Sequence, residues 1–551
     1  MTNAAIQFNS EPFNAAIPRP MGRHSAGEGF LRGFLKHADI EAFYFWDHFG
    51  EDRAVLDALV QRQGPPTRPV VWLDRDERGR FAEAGALHIP TPELAYEAWA
   101  RRALSGTDYS LTGVTHTISE THIVDEISSL LLAPLEPWDA LVCTSEAGRK
   151  AVETVLEGVA GYLQDRFGAT RIAPAQLVTI PLGLHVDDFE LTPKARRRWR
   201  QKLGIPEEAP AALHLGRFSA NTKMHPGPMG IALQEAAQRL GTRIYWIMFG
   251  GAHRPHDEEA FVRAAGAFCP DVEICVVEDR SAEARDEVLS AADVFLSLSD
   301  NTQETFGITP LEAMAAGLPC VVSDWDGYRD TVRHGIDGFR IPTMTPRPGL
   351  GTDLAYAHAH RLITYETFAG TTALFTSVDI AAAADDLVAL LSDADLRGRM
   401  GRSGRARALQ TFDWGVVIPQ YQALWSELAR RRRSAPAQGS LENPYRPDPF
   451  RMFQAYPTAN LSGLETVALA RPFAEDDLTA WLNRPGVRSE AARLPTAGEV
   501  AALVSRLTNG PRSVMALMAE VPADRRPFVE RGLVWLAKFG VLRLGARPPR
   551  T

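Results

Sequence analysis

The stretch Asp300-Asn301-Thr302-Gln303-Glu304-Thr305-Phe306-Gly307-Ile308-Thr309-Pro310-Leu311-Glu312-Ala313-Met314-Ala315-Ala316-Gly317 constrains the fold more than any other. The apolar run Val294 to Leu298 before it reads as a buried strand. Pro310 to Ala316 reads as a helix, with Thr309 as N-cap, Pro310 at the first helical position and Gly317 as the stop. A strand therefore delivers a polar loop to a helix N-terminus. Unpaired first-turn N–H groups and the helix dipole favour an anion there by about 0.3–2 kcal/mol. Gly307 lets a ligand approach the backbone, and Glu304 on the loop and Glu312 in the first turn can grip different parts of it. A carboxylate accepting from two vicinal hydroxyls matches a sugar or a ribose. The same spacing also suits a plain βα unit whose acid is favoured by the dipole.

At 551 residues and 45% hydrophobic, the chain can build two or three domains with substantial cores. A net charge of −9 argues against a dedicated nucleic-acid binder, whose domain is normally basic. Cys143, Cys269, Cys275 and Cys320 are scattered without C-x-x-C spacing, as expected of buried thiols in a reducing compartment. With no apolar run approaching 18 residues and no signal-like N-terminus, the expectation is a cytoplasmic protein.

Upstream, strands are expected at Ile40–Phe45, Pro69–Leu73, Ala86–Ile89, Tyr109–Val114 and Ala140–Cys143, with a helix over Pro92–Ala103, the alternation of a parallel α/β sheet. Ligands bind such sheets beyond the C-terminal strand ends, which makes His116 a candidate contact, with a structural role as the alternative. After a Pro-punctuated approach, Ile17 to Pro20, residues Met21 to Leu31 read as a Gly-rich loop feeding a helix. There Gly27 and Gly29, with Arg23 and His24 nearby, offer an anion nest or only a turn. The expected strand Ala211–Leu215 runs into a loop carrying Arg217 and Lys223, suited to the negative charge that grows on a departing diphosphate. Between the halves, Thr192–Lys202 reads as a basic helix with a solvated face.

The run E-T-F-G-I-T-P-L-E-A-M-A-A-G-L-P-C-V-V-S-D, Glu304 to Asp324, closely resembles the donor-sugar motif of the retaining family-4 glycosyltransferases. The resemblance extends over roughly residues 1–430 and implies the α/β GT-B fold, with two facing Rossmann-like domains. Residues 1–190 would form the acceptor-side domain, joined by a helix crossing back over 412–433, and residues 191–411 the donor domain, with an insertion at about 343–377. The resemblance places Glu304 beside the donor sugar, the N–H groups of Phe306, Gly307, Ile308 and Thr309 against sugar and diphosphate, and Glu312 on the ribose. It makes Arg217 and Lys223 the family's Gly-Arg…Lys pair, with Met224 where a glycine is usual, and puts Gly27 and Gly29 beside the diphosphate and the acceptor; His116, from its strand-end position, is a catalytic candidate touching the acceptor or the donor sugar. The implied activity is retaining, needs no metal or other cofactor, and moves a sugar from a UDP- or GDP-linked donor to a glycan, lipid-linked or small-molecule acceptor hydroxyl. A sucrose- or glucan-synthase-like enzyme would use the same donor site. In a non-catalytic sensor built on a degenerate core, intact Glu304, Glu312, Arg217 and Lys223 would be unexpected.

The insertion, with Tyr356, His358, His360, Tyr365 and Phe368, reads equally as a lid or as decoration. His358 and His360, two apart, do not share a helix face and are not read as a metal site. The run Arg430 to Arg433 either complements a helix C-terminus or touches an anionic membrane surface, making peripheral association at the inner membrane an expectation. Residues 434–445 read as a linker. Residues 446–551 read as a small, mainly helical, winged-helix-like module suited to a protein partner or a structural role, with no nucleic acid expected.

Overall fold

Strands buried on both faces read as continuous apolar runs, and every residue of Ala140–Cys143, Val294–Ser297 and Cys320–Ser323 is buried. The structure, a computed structural model, describes residues 3–15, 22–173, 175–252, 254–472, 475–487 and 491–545; the approach Ile17 to Pro20 and Met21 lie outside them. Strands β1 (Ala5–Phe8), β2 (Phe43–Asp47), β3 (Val70–Leu73), β4 (Ala86–Ile89), β5 (Ser110–Val114), β6 (Ala140–Cys143) and β7 (Gln176–Thr179) form one parallel sheet in the order β3-β2-β1-β4-β5-β6-β7. Strands β8 (Ala211–Leu215), β9 (Ile244–Phe249), β10 (Val272–Val276), β11 (Val294–Ser297), β12 (Cys320–Ser323) and β13 (Gly338–Ile341) form a second, in the order β10-β9-β8-β11-β12-β13. Each sheet is doubly wound. The direction of winding reverses between β1 and β4 in the first and between β8 and β11 in the second, and such a switch point opens a crevice at the strand C-termini. These are two Rossmann-like halves.

Both sheets lie in one compact unit, residues 1–443, and residues 444–551 form another. The return helix Trp414–Ser434 begins in the second half and buries Val417, Tyr421, Trp425 and Leu428 in the core of the first. Its first residue explains a correction. Residues 22–37 are one helix rather than a loop and then a helix, so Gly27 and Gly29 are helical and their N–H groups form no diphosphate nest. They are packing glycines: a Cβ on Gly27 would run into the Pro12 carbonyl, and one on Gly29 would press on the Trp414 indole.

The basic stretches keep a solvated face, with Arg197, Arg198, Arg430 and Arg433 exposed, but other arginines in them fasten elements together. On the helix Pro193–Leu203, Arg200 is buried against Asp293 (2.9 Å), which also pairs with Arg196 (3.0 Å). At the end of the return helix, Arg431 donates to Gln176 Oε1 (2.8 Å) and Arg432 to the Asp108 carbonyl. The expected linker is pinned too, since Leu441 N–H donates to the Arg102 carbonyl (2.8 Å). Among the described residues no helix is long and apolar enough to cross a membrane. All four cysteines are buried and free.

The C-terminal unit follows the order helix Ala497–Thr508, strand Arg512–Ser513, helices Val514–Met518 and Arg526–Lys538, strand Leu542–Leu544. Its central strand, Thr466–Leu469, comes from upstream and pairs antiparallel with both others. A full capping box, Thr496 with Glu499, starts its first long helix.

The seat of Trp414 can be tested by overpacking. A Cβ at Gly33 would lie 2.7 Å from the indole, whereas at Gly158, in the helix Glu146–Phe167, nothing lies within 4 Å. Gly33→Ala is expected to cost about 1–3 kcal/mol in denaturant unfolding. Gly158→Ala should stabilise by roughly 0.5–1 kcal/mol.

Candidate functional site

The loops after β8 and β11 emerge on either side of the second switch point. After β8, the N–H groups of Lys223 and Met224 both donate to the Ser219 carbonyl (3.0 and 3.1 Å), closing the turn that carries Lys223. Met224 stands where a glycine was expected and is fully buried in the core, so it anchors the loop. Arg217 donates to the Thr222 carbonyl within the same turn (3.1 Å). After β11, Asn301 fixes the second loop: its Nδ2 donates to the Asn221 carbonyl (2.8 Å) and its Oδ1 accepts from Gln303 N–H (2.9 Å). These contacts bring Lys223 and Glu304 into an ion pair, with side chains only 11% and 18% exposed. Burial works against the Lys223 ammonium, but the Glu304 carboxylate outweighs it and holds the pKa above the usual lysine range. Burial lowers the pKa of Arg217, an effect that Glu304 opposes.

The helix expected from Pro310 starts two residues earlier and spans Ile308–Ala316. Thr309 is not its N-cap. Gly307 holds that position at φ 83°, a left-handed conformation that glycine adopts without strain, and a Cβ there would also run into the Tyr328 ring. The shift puts Ile308 and Thr309 in the first turn and moves Glu312 out of it, to the second. Glu312 is fully buried and paired with Arg285 of the helix Ala282–Val288, a partner that no sequence motif marks. Burial depresses the Arg285 pKa.

Several buried polar atoms around these loops have no hydrogen-bond partner: His214 Nε2 on β8, Asp300 Oδ1, Thr302 Oγ1, Thr309 Oγ1 and Asp326 Oδ2. Buried polar groups are nearly always paired in folded proteins, so a local concentration of orphans marks a place prepared for a polar ligand. Burial pushes Asp300 up to about 7, with the His225 N–H opposing. It holds His214 near 4, which leaves that ring neutral. Burial also takes the Asp326 carboxyl well above the carboxylate range, with the Glu304 charge adding and Lys223 opposing. Neither Asp300 nor Asp326 stood out in the sequence.

The first half closes on this site. Ser145, the N-cap of the helix Glu146–Phe167, donates to the Thr305 carbonyl (2.6 Å), and Glu146 N–H donates to Asp330 (2.6 Å). The 343–377 insertion is framed by an antiparallel pair, Thr343–Met344 with Ser377–Val378, and carries the helices Thr352–Ala359 and Tyr365–Leu374. Its second helix packs Gly370 on Asn221, and Tyr365 Oη lies 3.0 Å from Ser119 Oγ of the first half. His358 stacks on Phe368 and His360 lies against Tyr356. Among the described residues no group of three or more His, Cys, Asp or Glu is arranged to hold a metal. His116, expected at the end of β5, has Nε2 on the Pro90 carbonyl (2.9 Å), a positioning bond within the first half, and burial lowers its pKa. Arg23 and His24 both contact Glu11 and lie on the Gly22–His37 helix.

Residues 195–347 match the family model described as glycosyl transferases group 1. The chain is 26% identical over 346 residues to a phosphatidyl-myo-inositol mannosyltransferase of Mycobacterium leprae, an alignment covering 62% of this chain and 73% of that protein. It is 31% identical over 219 residues to a D-inositol 3-phosphate glycosyltransferase of Geodermatophilus obscurus, covering 37% of this chain and 44% of that one. Among solved structures, sucrose-phosphate synthase from Thermosynechococcus elongatus superposes with a TM-score of 0.49 at 16% identity, over 78% of this chain and all of that one.

The raised pKa of Asp300 gives a signed prediction. The folded protein binds a proton here up to about pH 7, while the unfolded chain releases it near pH 4, so ionising the group costs stability as pH rises between those values. Asp300→Asn removes that cost. Its unfolding free energy relative to the parent should climb from pH 4 to pH 7 and level off above pH 8, with a slope of at most about 1.4 kcal/mol per pH unit, and its melting temperature should follow the same course. A difference independent of pH would exclude this titration.

Proposed function

We propose that this glycosyltransferase, whose residues 195–347 are a group 1 domain, moves a sugar from a nucleoside diphosphate donor to an acceptor hydroxyl with retention at the anomeric carbon. The observation that carries the reading is the placement of two cations and two carboxylates around a set of unpartnered buried polar atoms at one switch point. In this reading Arg217 and Lys223 take the diphosphate and stabilise the charge that develops as it leaves. Glu304, released from Lys223, faces the sugar and balances cationic character at its anomeric carbon. The first-turn N–H groups at Ile308 and Thr309, with those of Phe306 and Gly307, face sugar and diphosphate, and Glu312, oriented by Arg285, accepts from the ribose hydroxyls. Retention and the ribose role follow the resemblance of the Glu304-to-Asp324 segment to the family-4 enzymes. The inositol-containing acceptors in the relatives' names favour a small polyol, free or lipid-linked, as acceptor class.

The test is a thermal-shift screen without added metal against UDP, GDP, ADP and their common sugar esters. One nucleotide series should stabilise the protein selectively, by roughly 3 kcal/mol at a hundredfold excess over Kd. Glu312→Ala should weaken that response. A folded protein indifferent to every nucleotide would defeat the reading.

A further inference from the structure

Among the described residues only Asp326 and Arg361 combine a side chain with a positive φ, and Asp326, at 37°, follows β12 beside the donor loops. Glycine takes this conformation freely, so a residue kept there in spite of the strain asks for a reason. The turn is under tight constraint, because the next residue, Gly327, lies so close to the Phe306 backbone that a Cβ would clash with it. One oxygen of Asp326, Oδ1, accepts from Gly327 N–H and serves the turn itself. The other, Oδ2, is buried without a partner, and the carboxyl feels the charges of both Glu304 and Lys223.

Building on the donor-site reading, we infer that Asp326 is a specificity-determining contact to the transferred sugar, its Oδ2 meeting one hydroxyl of the hexose. The chemistry selects the sugar over the rest of the donor. A carboxylate repels a diphosphate, whereas a hydroxyl can donate to the ionised carboxyl or accept from the protonated one. A buried group left unpaired by the wrong epimer penalises that epimer, which is how a polar pocket discriminates between sugars differing at one carbon.

The experiment compares the full chain with Asp326→Asn, Asp326→Ala and Asp326→Gly. Binding of UDP and GDP, and of their glucose, galactose and mannose esters, is measured by calorimetry, and donor consumption is followed for each ester. All three variants should bind the preferred free nucleotide within twofold of the parent, while the ratio of kcat/KM between epimers falls at least tenfold. Asp326→Gly should melt at or above the parent temperature, since glycine relieves the backbone, and still lose the discrimination. Unchanged epimer ratios would overturn the assignment. So would loss of free-nucleotide binding together with lowered melting in the Asn and Gly variants, which would make Asp326 a structural residue. A parent protein that binds none of the nucleotides would overturn the donor-site reading itself, and this inference with it.

Discussion

The Lys223–Glu304 ion pair joins two loops that enter from opposite sides of one switch point. Taking both charges out of water costs several kcal/mol per ion, and their attraction offsets this only where other contacts fix the geometry. The fixing is visible: Ser219 holds the Lys223 turn, Asn301 ties it to the Glu304 loop, and Met224 anchors its base in the core. In the proposed reading, an incoming donor replaces each partner for the other. Phosphate oxygens suit the ammonium, and sugar hydroxyls suit the carboxylate. The pair keeps a ligand-ready site from being an uncompensated buried charge.

Much of this site was legible in the chain. The apolar run Val294 to Leu298 announced β11, and the Glu304-x7-Glu312 segment announced a strand, a loop and a helix carrying two carboxylates between them. The errors have physical causes. Thr309-Pro310 is a strong start signal, but the left-handed backbone of Gly307 begins the helix earlier and leaves Thr309 without a capping role. Glycine disfavours helices, so Gly27 and Gly29 read as a loop; the bulk of Trp414 and the Pro12 carbonyl, distant in sequence, make small residues necessary inside a helix. Arg196, Arg200, Arg431 and Arg432 read as part of a basic surface because their partners, Asp293, Gln176 and the Asp108 carbonyl, come from other elements. Arg285 and Asp326 lay beyond sequence reasoning for the same reason, since each has meaning only through a neighbour supplied by the fold.

The insertion gains a role from its position. Its second helix packs on the Lys223 loop through Gly370 and reaches the first half through Tyr365 and Ser119, so it lines the site and spans the cleft together. With Ser145 on Thr305 and Glu146 on Asp330, it ties the first half to the loops that carry Glu304 and Asp326. The return helix provides a second, apolar connection at the far end of the chain.

In the proposed mechanism Lys223 exchanges Glu304 for a departing diphosphate. The most direct test is the single-turnover rate of donor consumption in Lys223→Ala, at saturating donor and with folding confirmed. A fall of roughly 10²–10³-fold is expected, the scale of losing one preorganised charge stabiliser, with nucleotide binding weakened far less. A near-normal rate would contradict it and remove the ion pair from the chemistry.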